Sequence, residues 1–205
     1  LVWAWDLGNP QITRYPPVGQ TYTRGTPNMW STAAYDKQLG LIYIPLGNAT
    51  PDYWGGHRSD ASNRYASSVV ALDYNTGRER WAYQTVHHDV WDYDIPAQPA
   101  LYDVPDGKGG TLPALIQVTK TGNIFMLNRK TGEPIADVEE RPVPQQELAG
   151  DRTAPTQPFS VGMPYIGQEK LTEADMWGAT IYDQMLCRIQ FKSLRYDGPF
   201  TPPGL

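Results

Sequence analysis

The sequence predicts an all-β fold made of short antiparallel strands. Glycine and proline are abundant, with 19 of each among 205 residues, and this composition favours turns over long helices. Apolar runs of strand length recur between turn residues, whereas none has the length expected of a core helix. The predicted strands cover residues 39–46, 67–74, 80–85, 113–119 and 123–128.

Two of these strands lead into similar turns. Val-Ala-Leu-Asp-Tyr-Asn-Thr-Gly at 70–77 is matched by Phe-Met-Leu-Asn-Arg-Lys-Thr-Gly at 125–132, which lies 55 residues further on. In each copy an Asp or Asn followed by Thr-Gly closes a tight turn, in which Gly supplies the positive φ. A repeat of this length is typical of β-propeller blades.

The first copy continues into a motif that ends on Trp81. The pattern Ala-x-Asp-x-x-Thr-Gly-x-x-x-Trp over 71–81 resembles the tryptophan-docking motif of quinoprotein propellers. There the indole packs between neighbouring blades, and its N–H is bonded to the backbone. The second copy has Asn128 and Ile135 in place of the Asp and the Trp, so we expect a different or weaker contact. Trp3 resembles the end of a further copy.

The remaining segments predict less regular structure. Residues 1–6 are aromatic and branched with no preceding turn, so we predict the interior of a strand and a chain that continues upstream. Residues 133–170 are rich in Pro and Gln and predict a long ordered loop. Thr172, with Asp175 three residues later, predicts the start of a short helix, and residues 183–192 predict another.

Charge and composition exclude several function classes. The net charge is −5 and no Lys/Arg cluster exists, which argues against nucleic-acid binding and favours a neutral or polyol ligand.

Cys187 is the single cysteine, so no internal disulfide or CxxC site can form. No apolar run approaches the ~18 residues of a membrane span, and the Gly-rich stretches lack dinucleotide-binding spacing. His87 and His88 are adjacent, and neighbours on a strand point to opposite faces, which argues against shared zinc binding.

Four further segments carry a family resemblance. They are Pro-Asn-Met-Trp (27–30), Leu-Gly-Asn-Ala-Thr-Pro (46–51), His-His-Asp-Val-Trp-Asp-Tyr-Asp (87–94) and Thr-Lys-Thr-Gly-Asn-Ile-Phe (119–125). All four resemble segments of the membrane-bound PQQ-dependent (quinoprotein) glucose dehydrogenases and of their quinate/shikimate dehydrogenase relatives. The likeness continues through 156–160, 176–180, 183–188 and 200–203.

The resemblance implies a catalytic aspartate at Asp92. In the family, the Asp of the Trp-Asp pair is the general base that takes the hydroxyl proton while hydride passes to PQQ. Without the resemblance, Asp in an aromatic loop is usually a turn former, and Asp89 and Asp94 are rivals by proximity. Only the match of Trp91 and Asp92 to the family motif selects Asp92.

The resemblance also implies cofactor and metal contacts. Lys120 matches the lysine that hydrogen-bonds the quinone oxygens of PQQ, and Trp30 matches the tryptophan that forms the floor under the planar cofactor. Asn48 matches an amide ligand of calcium in the wider alcohol-dehydrogenase branch, while Thr50 is the alternative ligand. Magnesium could take the place of calcium. Each of these residues is otherwise an ordinary turn or packing residue.

The resemblance implies that residues 1–205 are a fragment of a single PQQ-dependent propeller domain. The fold would comprise about three to four blades of an eight-bladed ring, with long loops and with short helices near the C-terminus. The isolated fragment would be inactive, because its blades cannot close the ring. The parent protein would oxidise a hydroxyl group of a sugar or polyol. The preferred prediction is oxidation of glucose to gluconolactone, and quinate or shikimate is the alternative substrate. Electrons would pass to ubiquinone at the periplasmic face of the bacterial inner membrane, and membrane contact would be made by segments absent here.

Two competing classes remain. A non-catalytic propeller scaffold would share the repeat and the docking motif, but it has no need of Asp92 together with Lys120. A periplasmic sugar-binding protein would need alternating helices and strands, which this sequence lacks.

Overall fold

A computed structural model describes residues 1–11, 13–167 and 170–204. Two antiparallel sheets follow each other along the chain, and each keeps its strands in sequence order. The first sheet comprises β1 (Ala34–Asp36), β2 (Leu41–Pro45), β3 (Ser68–Asp73) and β4 (Glu79–Gln84), and the second comprises β5 (Ala100–Pro105), β6 (Thr111–Val118) and β7 (Ile124–Asn128).

The first sheet is buried on both faces, as a propeller blade is between its neighbours. In β3, Val69 and Ala71 belong to a core cluster that includes Leu115 and other residues of the second sheet. Val70 and Leu72 belong to a different cluster, against which the N-terminal tryptophans pack. This two-sided burial explains why β3 is a continuous apolar run and not an alternating one.

The five predicted strands are all present, with bounds that differ by at most two residues. The sequence pattern misses β1 and β5. β1 has only three residues, and the β5 side chains are mostly exposed, so neither produces an apolar run. The all-β class is confirmed. The described residues hold one four-stranded and one three-stranded sheet of blade type, fewer than the expected three to four blades, because the chain after β7 forms hairpins, loops and helices.

The predicted loop over 133–170 is wrong in part. It contains β8 (Val138–Pro142) paired with β11 (Thr156–Ser160), and β9 (Glu147–Leu148) paired with β10 (Asp151–Arg152). A two-stranded ribbon has free edges that tolerate proline, so its Pro residues do not prevent pairing. Residues 168 and 169 of the predicted loop lie outside the described part of the chain.

The strand predicted at 1–6 is also wrong. No strand is assigned within these residues. Trp3 and Trp5 instead pack onto the cluster that covers the outer face of the first sheet, and Trp5 meets the Tyr65 ring edge-on at 5.1 Å. The aromatic pattern therefore reflects side-chain packing and not strand pairing.

Both predicted C-terminal helices are confirmed, and a third helix was missed. Glu173–Asp175 forms a short 3₁₀ helix after Thr172, with the expected capping box to Asp175. The long helix α2 spans Ile181–Ser193 and begins at Thr180 with a second capping box. Helix α1 (Asp60–Tyr65) is short and polar, so it gave no periodic signal.

The tryptophan-docking contact is present at Trp81. Its indole N–H donates to the Arg129 carbonyl at 3.2 Å, and the ring lies on Gly132 in the turn after β7. Trp3 makes the equivalent contact one repeat earlier, because its N–H donates to the Tyr74 carbonyl at 2.6 Å and its ring lies on Gly77. Each Thr-Gly turn thus receives a tryptophan from the preceding part of the chain.

We expect Gly132→Ala to destabilise the protein by about 3 kcal/mol, because strain and overpacking add. Gly132 has a φ of +80°, and an added Cβ would lie 2.7 Å from the Trp81 ring. Gly107→Ala is the matched control, since Gly107 has a φ of +73° but no neighbour within 4 Å of an added Cβ. It should cost about 1 kcal/mol. Chemical denaturation measures both, and equal losses would mean that the Trp81 contact carries no stability.

A buried ion pair joins the two sheets. The Arg129 guanidinium at the end of β7 contacts Asp36 of β1 at 2.5 Å and Asp103 of β5 at 2.6 Å. The Arg129 carbonyl also accepts the Tyr43 hydroxyl at 2.8 Å. Burial opposes ionisation of Asp36, but hydrogen bonds from the Leu39 amide and Arg129 outweigh it and lower its pKa. Arg129 is therefore a central electrostatic link between the sheets.

Candidate functional site

The candidate site forms where connections of the two sheets meet. The β4–β5 connection carries Asp92 and Asp94, and the β6–β7 turn carries Lys120. Trp30 precedes β1, and Asn48 follows β2. Strand pairing brings these connections together although their residues are far apart in sequence.

Lys120 is paired with two aspartates. Its Nζ lies 2.6 Å from Asp94 Oδ2 and 3.2 Å from Asp92 Oδ2, and it also donates to the Asp92 carbonyl at 2.8 Å. Asp92 and Lys120, predicted as general base and cofactor contact, therefore lie in direct contact across 28 residues of sequence.

Trp30 lies beside the same ammonium group. Lys120 Nζ is 6.0 Å from the centroid of the Trp30 ring, and Trp30 is 56% exposed. Gly47 permits this arrangement, because a Cβ there would lie 2.6 Å from Asp94 Oδ1 and 2.9 Å from Trp30 Nε1. An open indole face next to a cation suits a planar anionic ring such as PQQ.

The three charged groups have different pKa values. Burial, followed by the neighbouring Asp94, raises the pKa of Asp92 against the effect of Lys120. Burial also opposes ionisation of Asp94, but hydrogen bonds from Lys120 and the Asn48 amide outweigh it and lower its pKa. The pKa of Lys120 is raised, since its two carboxylate partners outweigh its burial. Asp94 is the firmly ionised member, and Asp92 is the better proton acceptor.

Exposure separates Asp92 from its rivals. The Asp92 side chain is 38% exposed and that of Asp94 is 13% exposed, because Asp94 is held between Lys120 and the Asn48 amide. Asp89 has no exposed surface, and burial raises its pKa to about 6. Of the three carboxylates, Asp92 is the one most open to a substrate.

The predicted metal ligands offer an incomplete site. The Asn48 side chain is buried, its Oδ1 already accepts the Ala49 amide at 2.7 Å, and its Nδ2 donates to the Asp52 carbonyl. Thr50 is exposed. No group of three or more His, Cys, Asp or Glu side chains that could hold a metal occurs in 1–11, 13–167 and 170–204. Two neutral oxygens fall well short of the six to eight that calcium takes.

The adjacent histidines lie in a turn after β4 and not on a strand, and they contact different partners. His87 contacts Glu140 at 3.0 Å, whereas His88 contacts Asp151 at 2.7 Å. His88 and Asp151 line a polar cleft of about 600 Å³ together with Arg58 and Asn63, and neither Asp92 nor Lys120 is part of its lining. The two imidazoles are therefore held by hydrogen bonds to separate carboxylates.

The sequence does not reveal the roles of two residues of the site. Asp94 is a rival base by its position in the sequence, but in the structure it is the closest partner of Lys120. Gly47 precedes Asn48 in the sequence, and the close approach of Asp94 and Trp30 requires a residue without a side chain at this position. Glycine inside a polar segment was the available signal for a close contact.

No helix in the described part of the chain is long and apolar enough to cross a bilayer.

Known proteins similar to this chain are redox enzymes. It is 50% identical over 199 residues to a probable quinate dehydrogenase (quinone) of Xanthomonas campestris pv. juglandis, covering 97% of this chain and 25% of that protein. It is 50% identical to the glycerol dehydrogenase large subunit of Gluconobacter thailandicus and 48% identical to the quinoprotein glucose dehydrogenase of Escherichia coli (strain K12). Those two matches cover 100% of this chain and 28% and 25% of the relatives. The chain spans about a quarter of the length of these relatives.

The fold has a counterpart among solved structures. Quinohemoprotein alcohol dehydrogenase from Comamonas testosteroni superposes with a TM-score of 0.50 at 29% identity, over 67% of this chain and 20% of that one. Residues 1–205 match the family described as glucose/ethanol/alcohol dehydrogenase, beta-propeller domain, designated PQQ. The family resemblance noted in the sequence is thereby confirmed, and the chain belongs to the β-propeller family of the PQQ-dependent glucose/ethanol/alcohol dehydrogenases.

Proposed function

We propose that residues 1–205 are part of one catalytic propeller domain of a PQQ-dependent dehydrogenase that oxidises a hydroxyl group of a sugar or polyol. The observation that carries this proposal is the contact between Lys120 and Asp92 beside the exposed face of Trp30. A propeller that only binds other proteins has no need of this combination. The related proteins are named for glucose, glycerol and quinate, which are all polyhydroxy compounds.

The cofactor would lie against Trp30. Its exposed indole offers a flat apolar surface, and Lys120 places a positive charge next to it. When bound, PQQ would supply the acceptor for a hydride, which carries both electrons of the oxidation. Lys120 would donate to the PQQ oxygens that gain negative charge during reduction. Asp94 would hold the ammonium group of Lys120 in place.

Asp92 would accept the proton of the substrate hydroxyl. Its carboxylate is the most exposed of the three aspartates. Its pKa is raised toward the neutral range in which a general base is most effective. The substrate would occupy the open side of Asp92, with Lys120 on the other. Asp92 would thus remove the proton of the substrate, and Lys120, in direct contact with Asp92, would stabilise the negative charge on the reduced cofactor.

The metal, the electron acceptor and the location are further parts of the proposal. Asn48 and Thr50 would supply two oxygens to calcium or magnesium, and most of the ligands would have to come from elsewhere. Ubiquinone as acceptor, and the periplasmic face of the inner membrane as location, are supported by the family resemblance alone. None of the steps assigned to Asp92, Lys120 and Trp30 depends on them.

The proposed function is tested with the complete enzyme that carries this chain. PQQ is added with and without calcium, and reduction of an artificial dye is measured with glucose, other aldoses, glycerol, quinate and shikimate. We expect PQQ-dependent turnover with glucose. Turnover with quinate or shikimate alone would move the enzyme to the quinate branch, and no PQQ-dependent turnover with any substrate would refute the proposal.

We expect Lys120→Ala to weaken PQQ binding about 10- to 100-fold, which corresponds to the loss of one charge-assisted hydrogen bond. Turnover should fall as well, by about 10²-fold or more, because the reduced cofactor loses its cationic partner. Fluorescence titration with PQQ gives the affinity. Lys108→Ala is the control, since Lys108 lies in the exposed turn between β5 and β6. Unchanged PQQ affinity in Lys120→Ala would contradict the assigned contact.

A further inference from the structure

The backbone of Asp92 is in an unusual conformation. Its φ is +65°, in the left-handed region that residues with a side chain rarely adopt. Such a conformation persists only where the surroundings impose it, and it is often found at functional sites.

The carboxylate of Asp89 holds the two amides on either side of Asp92. Asp89 Oδ1 accepts the Trp91 amide at 2.9 Å, and Oδ2 accepts the Tyr93 amide at 2.8 Å. The Ser67 hydroxyl donates to Oδ2 at 2.5 Å. Asp89 therefore closes a ring around Asp92 and is itself tied to the first sheet through Ser67.

Other contacts complete the enclosure of this loop. Arg58 donates to the Asp89 carbonyl at 2.7 Å. The Trp91 indole donates to the Thr201 carbonyl at 2.7 Å, and the Tyr93 hydroxyl donates to a neighbouring carbonyl of the same C-terminal segment. The flanking side chains are thus tied to the C-terminal segment, whereas the Asp92 side chain between them contacts Lys120.

We propose that Asp89 is a positioning residue that holds Asp92 in the left-handed conformation from which its carboxylate reaches Lys120 and the open site. This inference rests on the proposed function, in which Asp92 is the base. A buried carboxylate is a costly way to fill space, because it must be desolvated, whereas an apolar side chain would pack without that cost. The bridge between two amides needs two acceptor oxygens on one side chain, which a carboxylate provides.

The test is Asp89→Asn in the complete enzyme loaded with PQQ. Asparagine keeps one oxygen for the Trp91 amide but turns an NH₂ group toward the Tyr93 N–H, where two donors oppose each other. We expect kcat to fall about 10²-fold, as for a catalytic group displaced by about 1 Å, while KM and PQQ affinity change less than about threefold. In the protein without PQQ, hydrogen exchange of the Trp91 and Tyr93 amides should become faster.

Asp6→Asn is the matched control. Asp6 is also buried and accepts two backbone amides, those of Gly8 and Thr23, but it lies in a different loop. We expect Asp6→Asn to lose about as much stability as Asp89→Asn and to keep the wild-type kcat. If Asp89→Asn does not fold, Ser67→Ala removes only the hydroxyl that orients Oδ2 and should lower kcat several-fold at an unchanged melting temperature.

Faster amide exchange with a wild-type kcat would overturn the positioning role of Asp89, and unchanged exchange would overturn the bridge itself. A wild-type kcat in Ser67→Ala would likewise overturn the positioning role of Asp89. These results differ from a failure of the proposed function, in which the wild-type enzyme shows no PQQ-dependent turnover with any polyol and both proposals fall.

Discussion

Asp92→Asn should lower the turnover of the complete, PQQ-loaded enzyme by about 10²- to 10⁴-fold, which is the usual contribution of a general base. The amide preserves the size of the side chain and removes its basic oxygen. Lys120 still has Asp94 at 2.6 Å, so we expect the cofactor site and the fold to remain. Steady-state kinetics, PQQ titration and the melting temperature measure the three quantities separately.

The neighbouring carboxylates serve as controls for Asp92. Asp94→Asn should mainly weaken PQQ binding, because it frees the ammonium group of Lys120. Asp52→Asn, in an exposed position after the Asn48 segment, should leave turnover unchanged. Near-normal turnover in Asp92→Asn, combined with its loss in Asp94→Asn, would make Asp94 the base while leaving the family assignment intact.

Arg129→Leu should lower the free energy of unfolding by about 3–5 kcal/mol, the range measured when one member of a buried ion pair is removed. The Asp36 carboxylate would remain buried without its 2.5 Å partner, and the two sheets would lose the ion pair between them. Denaturant titration measures the effect. Arg195→Leu is the control, since its pair with Asp197 is exposed and should contribute at most about 1 kcal/mol.

The effect of Arg129→Leu should depend on pH. The pKa of Asp36 is lowered in the folded protein, so its contribution to stability is present above its unfolded pKa of about 3.9 and is lost as the pH falls through the folded value. Removing Arg129 takes away its hydrogen bond and its charge, which lower the pKa of Asp36, while the amide hydrogen bonds from Leu39 and Gln38 remain. The variant should therefore lose less stability than the wild type as the pH falls. The difference between the two proteins should therefore shrink below about pH 4, and a constant difference would refute the assigned ion pair.

Much of the fold could be predicted from local sequence. The strands β2, β3, β4, β6 and β7 are apolar runs between turn residues, and their signal does not depend on distant contacts. The helix start at Thr172 was predicted from its local capping residues. The second helix was predicted from residue 183, although it begins at Ile181 after a capping box at Thr180. The exposed strand β5 and the ribbon of β8 and β11 escaped prediction, since they form by pairing with other segments and lack an apolar pattern.

The candidate site divides in the same way. The family resemblance of the sequence predicts roles for Asp92, Lys120 and Trp30, whereas proximity in sequence alone leaves Asp89 and Asp94 as rivals of Asp92. The tertiary structure gives a physical difference between the three aspartates, because it buries Asp89 and places Asp94 between Lys120 and the Asn48 amide. Ion pairs in the described part of the chain join residues far apart in sequence, such as Arg129 and Asp36, which are 93 residues apart. Such contacts exist only once strand register has brought those segments together, so no local pattern could encode them.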